Sequence, residues 1–314
     1  MGDSRLRGND GRFRRRGPRF EIPACAGMTV CWRISPSRGY DAAMTTRKMH
    51  SAVYRMARKL RPVLPYGILA NLNQWFQGYA HEPDFKVFDW LAEARGLVMD
   101  VGASRGQSAL SVLRRTRRIR VFSVEPNHKH RWSLLLIGLL HPFRYRFRMV
   151  AAGDELANKT LFVPGQRASG LSALGSLDPA EFEKDYVHQR LAASGFDASN
   201  RAAYRQVSVS VIPLDSLERR PALIKLDVEG FEHQALFGLE KTLKKYSPAL
   251  LIEINNTERW IPFLHSLGYG FYRYDEGDGC LRPFDGAHAP LNIFCLHQGN
   301  EDPVTRTLLE NVRM

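Results

Sequence analysis

The sequence predicts an α/β fold built on a mostly parallel sheet, and three observations carry that prediction. From about residue 96, short apolar runs alternate with helical stretches, the pattern of strands joined by crossover helices. Three of the runs close on an acid, at Asp100, Glu125 and Asp227. The first is followed at once by a turn carrying Gly102 and Gly106, placed where an open parallel sheet binds ligands.

The elements follow in order. Leu97-Val98-Met99-Asp100 reads as a short buried strand and Ser108–Arg115 as a helix. Val121-Phe122-Ser123-Val124-Glu125 is the second strand, with Pro126 opening the next helical stretch. Within it, Trp132–Leu140 is the longest apolar run, far short of the roughly 20 residues that cross a bilayer. It is expected to face the core. Arg146–Ala152 and Lys159–Val163 read as strands paired in an insertion. The polar stretch 165–205 carries a weak helical pattern near 179–193. Val207–Ile212 alternates with period two, and Ala222–Asp227 is a buried strand. Gly230–Lys245 reads as one helix and Ala249–Ile254 as another buried strand. Phe271–Tyr274 and Asn292–Leu296 are expected to form an antiparallel pair.

The flanks differ in composition. Of the net charge of +13 over 314 residues, residues 1–48 hold +7 and the remainder only +6. Excess charge on the main region is therefore mild, which argues against a nucleic-acid partner. Residues 1–48 are Gly- and Arg-rich without periodicity and are expected to be a disordered tail. Words such as Ile22-Pro23-Ala24-Cys25-Ala26-Gly27-Met28-Thr29 resemble translated bacterial intergenic repeats, so Met44 or Met49 is expected to be the native start. Residues 49–94 are expected to form a helical cap, 95–300 the main domain and 301–314 a tail. The four cysteines, Cys25, Cys31, Cys280 and Cys295, show no C-x-x-C pair, and a reducing, cytoplasmic setting is expected. No metal site is expected from the spacing of His, Asp and Glu.

The chemistry concentrates at the strand ends. Gly102 and Gly106 let the backbone turn tightly and approach a ligand, and the helix behind them points free N–H groups at the same spot. Glu125, 19 residues beyond Gly106, is placed to accept both hydroxyls of a ribose. The spacing G-x-x-x-G is not the G-x-G-x-x-G of a dinucleotide site. Asp100 just ahead of it would repel a pyrophosphate and attract a cationic, phosphate-free ligand. That favours S-adenosyl-L-methionine over a nicotinamide dinucleotide.

A second cluster is Ile224-Lys225-Leu226-Asp227-Val228-Glu229-Gly230-Phe231-Glu232. Asp227 and Glu229 can cap or complement the following helix, or can orient a cofactor and accept a proton. His233 is a further candidate base. With Asp100–Gly106, Val124-Glu125-Pro126 and Leu250–Ile254, this segment resembles the FkbM family of methyltransferases over about residues 95–297. The resemblance implies a class I methyltransferase sheet, helices on both faces and S-adenosyl-L-methionine as donor. It implies O-methylation of a hydroxyl on a sugar, glycan, lipid or secondary metabolite. It assigns Asp100, Gly102, Ala103, Gly106, Glu125, Pro126 and Asp154 to the cofactor, with Asp154 in the loop flanking the adenine. Asp227, Glu229 and His233 become the catalytic candidates, and Ser169, Ser172, Glu232 and Glu253 face the acceptor. An NAD(P)-dependent oxidoreductase and an RNA methyltransferase or nucleic-acid-binding module are the alternatives.

Overall fold

The computed structural model describes residues 80–164, 175–179, 204–286 and 290–314, together with Asn71 and Gln74. Its centre is β1 (Arg95–Val101), parallel to β2 (Arg118–Val124) on one side and β7 (Leu223–Leu226) on the other. Outside β2 lies β3 (Tyr145–Arg148), and outside β7 lies β8 (Ala249–Glu253), both parallel. Then β11 (Asn292–His297) inserts antiparallel between β8 and β9 (Tyr269–Asp275), and β10 (Cys280–Pro283) closes that edge as a hairpin. The order is β10-β9-β11-β8-β7-β1-β2-β3. The expected antiparallel carboxyl-terminal pair is thus present.

Strict alternation within apolar strands builds two cores, one on each face. Val98, Leu223, Leu251 and Phe294 pack on one side; Met99, Ile224, Leu250 and Cys295 pack on the other. The first face is covered by α1 (Gln107–Arg115), α2 (Arg131–Leu140), a 3-10 turn (Pro83–Asp89) and α6 (Pro303–Glu310). The second is covered by α3 (Glu232–Phe237), α4 (Glu240–Tyr246) and α5 (Thr257–Ser266).

Several expectations change. The run Arg146–Ala152 is not one strand. It leaves the main sheet after Arg148, and β4 (Ala151–Ala152) joins β6 (Tyr204–Ile212) in a separate sheet of order β4-β6-β5, where β5 is Ala157–Pro164. The expected single helix over Gly230–Lys245 breaks in two at Gly238. A Cβ there would lie 1.8 Å from the Gly153 carbonyl oxygen, so the chain passes too close to that loop for any side chain. The 3-10 turn buries Phe85, Val87 and Phe88. Most of residues 1–79, the 179–193 stretch beyond Pro179, Cys25 and Cys31 lie outside the described residues. Within 301–314, α6 buries Val304 and Leu308 completely. In α2 only Ser133, Leu134 and Ile137 face the core, while Trp132 is 63% and Leu139 78% exposed.

Candidate active site

At the carboxyl ends of β1, β2, β7 and β8 the strands part around a cavity of about 310 Å³. The loop after β1 forms one wall. Gly102 has φ 80° and Gly106 φ 89°, both in the left-handed region that favours glycine. Each also meets a close neighbour. A Cβ on Gly102 would sit 1.6 Å from the Asp227 carbonyl oxygen, and one on Gly106 would sit 2.3 Å from Ile137 Cδ1. The backbone N–H groups of Gly102 and Ala103 both donate to the Val124 carbonyl, at 2.9 and 3.1 Å.

Glu125 stands immediately beyond β2, on the cavity wall, 5% exposed. Its Oε2 accepts from the Ser104 N–H and its Oε1 from the Asn127 N–H, both at 2.7 Å. Burial pushes its carboxyl up to about 7 in spite of those two N–H donors. Ser104 Oγ is buried without a hydrogen-bond partner.

The opposite wall is a charged cluster. The Lys225 ammonium, 2% exposed in the middle of an apolar strand, donates to Asp227 Oδ2 at 2.6 Å. Burial opposes the charge on Lys225, yet Asp227, Asp100 and Glu82 together hold it above the ordinary lysine range. Burial likewise opposes ionisation of Asp227, and Lys225 holds it below the usual carboxylate range. Glu253 is hydrogen-bonded to Asp227, and burial and that neighbouring carboxylate raise it well above a normal glutamic acid. Asp227 is therefore the stronger acid of the pair and Glu253 the weaker.

From the amino-terminal side come His81 and Glu82, which also line the cavity. His81 Nε2 lies 3.3 Å from Glu82 Oε1, its backbone N–H donates to Ser111 Oγ, and its ring meets Phe85 edge-on. Glu82 in turn accepts from Asn292 Nδ2 at 2.8 Å. Burial keeps His81 below the ordinary imidazole range, partly offset by Glu82.

The predicted residues distribute unevenly over this cavity. Gly102, Ala103, Glu125, Pro126, Asp227, Glu229 and Glu253 line it. Asp100 lies beneath it, 1% exposed, accepting from Ser123 Oγ at 2.9 Å, with Oδ1 unpartnered. Gly106 is off the lining as well, set against Leu134 and Ile137 of α2. Asp154 is exposed and stands off the cavity, whose wall there is made by Ala151 and Ala152. Glu232 turns away: its Oε1 accepts from the Val228 and Gly230 N–H groups at 3.3 and 3.2 Å, which holds the Val228–Gly230 loop from behind. The reason is the left-handed turn at Glu229 (φ 51°) and Gly230 (φ 93°), which points those N–H groups inward. His233 packs against Phe237, ring centroids 4.6 Å apart, away from the cavity lining. Ser169 and Ser172 lie outside the described residues.

Sequence reading missed His81, Glu82 and Lys225. Lys225 carried a signal, since a lysine inside a buried strand must be paired. His81 and Glu82 carried none, because only the fold brings them back over the sheet. Among the described residues no group of three or more His, Cys, Asp or Glu is arranged to hold a metal ion.

A mostly parallel sheet with a glycine loop after its first central strand and an acid after the next is the arrangement in which open α/β sheets bind nucleotide-type ligands. Residues 100–271 match the family described as the methyltransferase FkbM domain, more than half of the chain, and the chain belongs to that family. No curated protein sequence matches it. Among solved structures it is similar to the methyltransferase FkbM from Methylobacillus flagellatus KT, at 15% identity and a TM-score of 0.42. That match covers 81% of this chain, which spans 60% of the length of the other. A putative caffeoyl-CoA O-methyltransferase from Staphylococcus aureus shows 10% identity and a TM-score of 0.34, over 80% of this chain and 99% of that one. Burkholderia thailandensis 1,6-didemethyltoxoflavin-N1-methyltransferase, solved with S-adenosylhomocysteine, shows 11% identity and a TM-score of 0.33, over 83% and 91%.

Proposed function

We propose that this protein transfers a methyl group from S-adenosyl-L-methionine to a hydroxyl of a small-molecule or glycan acceptor. One observation carries the reading: the glycine cradle, Glu125 and the Asp227 cluster open onto a single cavity. The residues suit this cofactor. Glu82, Asp227 and Glu229 line the cavity, with Glu125 and Glu253 as weaker acids beside them, against only Arg105 and Lys225 as fixed cations. An acidic lining attracts a sulfonium and an ammonium and repels a pyrophosphate, which also disfavours the oxidoreductase alternative. The sequence-based argument placed that charge at Asp100; the wall residues carry it instead.

Glu125 would accept the ribose hydroxyls, its orientation fixed by the Ser104 and Asn127 N–H groups. Gly102 and Ala103 would let the backbone approach, with Pro126 and Ala152 against the base. Asp227, held ionised by Lys225, would orient the acceptor hydroxyl beside it. When bound, the cofactor would supply an electrophilic methyl group, whose transfer breaks the S–CH3 bond to leave a neutral thioether and forms the O–CH3 bond of a methyl ether on the acceptor. His81 would take the hydroxyl proton: it is kept neutral by burial, and Glu82 stabilises the imidazolium that results. His81 takes the place given to His233 in the sequence reading.

Calorimetric titration with S-adenosylmethionine, S-adenosylhomocysteine and NAD tests the reading. Binding of the first two and not of the third is expected. Absence of heat with both sulfur ligands at roughly millimolar concentration would overturn it. His81→Asn should then lower turnover by about 10²-fold or more while leaving cofactor affinity within a few-fold; unchanged turnover would remove His81 from proton transfer.

A further inference from the structure

Toward the amino ends of β1, β2 and β3, away from the cofactor cavity, the sheet carries arginines that the proposed reaction does not use. Arg120 on β2 lies two residues before Phe122, and the register sets Arg146 on β3 beside Phe122, so both share that residue's face of the sheet. Arg219, in the loop before β7, brings its guanidinium to 5.1 Å over the Phe122 ring. Arg120, Arg146 and Arg219 line a second cavity of about 220 Å³, with Leu97 and Phe122 in its apolar lining. All three arginines are exposed, and among the described residues no carboxylate pairs with any of them.

Like charges on neighbouring strands are unfavourable, so their convergence calls for a cause. Charge on an edge strand guards it against pairing with another sheet, which accounts for Arg146. It accounts neither for Arg120, one strand inside the edge, nor for Arg219. Holding the fold together is not their task either. Arg144, on the same cavity, does that work: its Nε, Nη1 and Nη2 donate to the Ile119, Leu113 and Thr116 carbonyls at 2.9, 3.1 and 2.7 Å. The other three keep donors in hand. Arg146 gives only Nη1 to the Pro142 and Tyr145 carbonyls, which fixes the guanidinium and leaves Nε and Nη2. A guanidinium resting over a ring, as Arg219 does, keeps its N–H groups at its rim. Arg120 makes no side-chain hydrogen bond among the described residues.

We propose that this cavity binds a phosphate or pyrophosphate group. Guanidinium forks match phosphate oxygens bidentately, and here their positive charge has no counter-charge within the cavity lining. Size narrows the occupant. A volume of 220 Å³ is below the roughly 300–1,000 Å³ of pockets that enclose organic ligands, so the anionic group fills it alone or as one end of a larger molecule. The site is separate from that of the methyl donor: four residues of β2, about 13 Å of strand, lie between Arg120 and Val124 on the cofactor cavity. The proposal therefore stands or falls independently of the methyl-transfer reading.

The test is calorimetric titration of the full chain with inorganic phosphate, inorganic pyrophosphate and glucose 1-phosphate, at constant ionic strength. Saturable binding of pyrophosphate is expected, with a thermal midpoint that rises as its concentration rises. Binding of glucose 1-phosphate as well supports the anionic end of a larger molecule; binding of the free anions alone supports an inorganic ligand. Arg120→Gln with Arg219→Gln should weaken pyrophosphate by about tenfold or more. Both side chains are exposed among like charges, so that variant should melt at or above the parent temperature without ligand. If it melts lower, Arg120→Gln alone, which removes no described hydrogen bond, gives the reading. Absence of saturable pyrophosphate binding at about millimolar concentration overturns the proposal. So does undiminished binding in the variants, which would assign it to residues 1–48 with their net +7. Competition between pyrophosphate and S-adenosylhomocysteine also overturns it, by placing the anion in the cofactor cavity.

Discussion

Glu125 and Glu232 are two buried acids with opposite duties, and both are pushed up to about 7 by burial. Each folded value lies above the unfolded value near 4.5, so both favour the folded state fully below that pH and lose the contribution as pH rises through 7. Glu125 has a ligand to gain. Accepting two ribose hydroxyls uses the ionised form, so cofactor affinity should rise as pH rises through about 7. Glu125→Ala should weaken S-adenosylhomocysteine binding by about 10- to 100-fold and flatten that pH dependence, both read by calorimetry. Glu232 has only the loop behind it, and its Oε2 is unpartnered. Glu232→Gln keeps the acceptor for the Val228 and Gly230 N–H groups without the buried charge. It should melt at or above the parent temperature at alkaline pH, by up to roughly 2–3 kcal/mol, whereas Glu232→Ala should melt below it. A catalytic Glu232 would lose turnover in the Gln variant; a loop anchor would keep it.

At the level of elements, the break between α3 and α4 is a junction that ties the Asp215 turn and the Gly153 loop together. The Gly238 carbonyl accepts from the Asp215 N–H at 2.9 Å. The Asp215 carboxylate receives the Lys241 and Thr242 N–H groups and the Thr242 hydroxyl, capping α4 from another segment. Gly238→Ala would drive a methyl into the Gly153 carbonyl and should destabilise the chain by several kcal/mol in chemical unfolding, about 3 or more. Asp215→Ala removes only the cap and should cost about 1–2 kcal/mol. The order of those two losses checks whether close backbone approach or capping holds the junction. The second sheet gains from the same junction, since Gly153 follows β4 directly, and Ala151 and Ala152 there form part of the cavity wall.

For the whole molecule, Asn71, Gln74 and His81 are stitched to the glycine loop and its helix. Asn71 Nδ2 donates to the Arg105 carbonyl, and Gln74 Nε2 donates to the Gln107 carbonyl and to Ser111 Oγ. Ser111 Oγ also receives the His81 N–H and donates to the Gln107 carbonyl. One buried hydroxyl on α1 thus ties the catalytic candidate His81 to the helix behind the glycine loop. Ser111→Ala leaves the Gln74 amide and the His81 N–H without that partner, a loss of about 1–3 kcal/mol. Turnover should fall further than cofactor affinity, because His81 is loosened while Glu125 and the glycine cradle stay in place. Equal losses in both would mean that Ser111 serves only the fold of α1.

The sequence by itself determined the sheet, the glycine turn after β1 and the family word around Asp227, because each is written in neighbouring residues. Apolar runs on period two, glycines at forced backbone angles and an acid at a strand end are local facts. Cys295, inside the apolar run Asn292–Leu296, is fully buried. Which acids reach the cavity was not local. Asp227 and Glu253 face it and Glu232 does not, although Glu232 sits within five residues of Asp227, because a left-handed turn at Glu229 and Gly230 reverses the chain between them. His81 and Glu82 become site residues only when the segment before β1 folds back onto α1 and β11, where Ser111 and Asn292 hold it. Asp227 is the stronger acid of its pair because Lys225 sits beside it, and Glu253 the weaker because burial and the neighbouring Asp227 raise it. Sequence spacing sets which residues share a strand end; burial and long-range contacts decide which of them carry charge there.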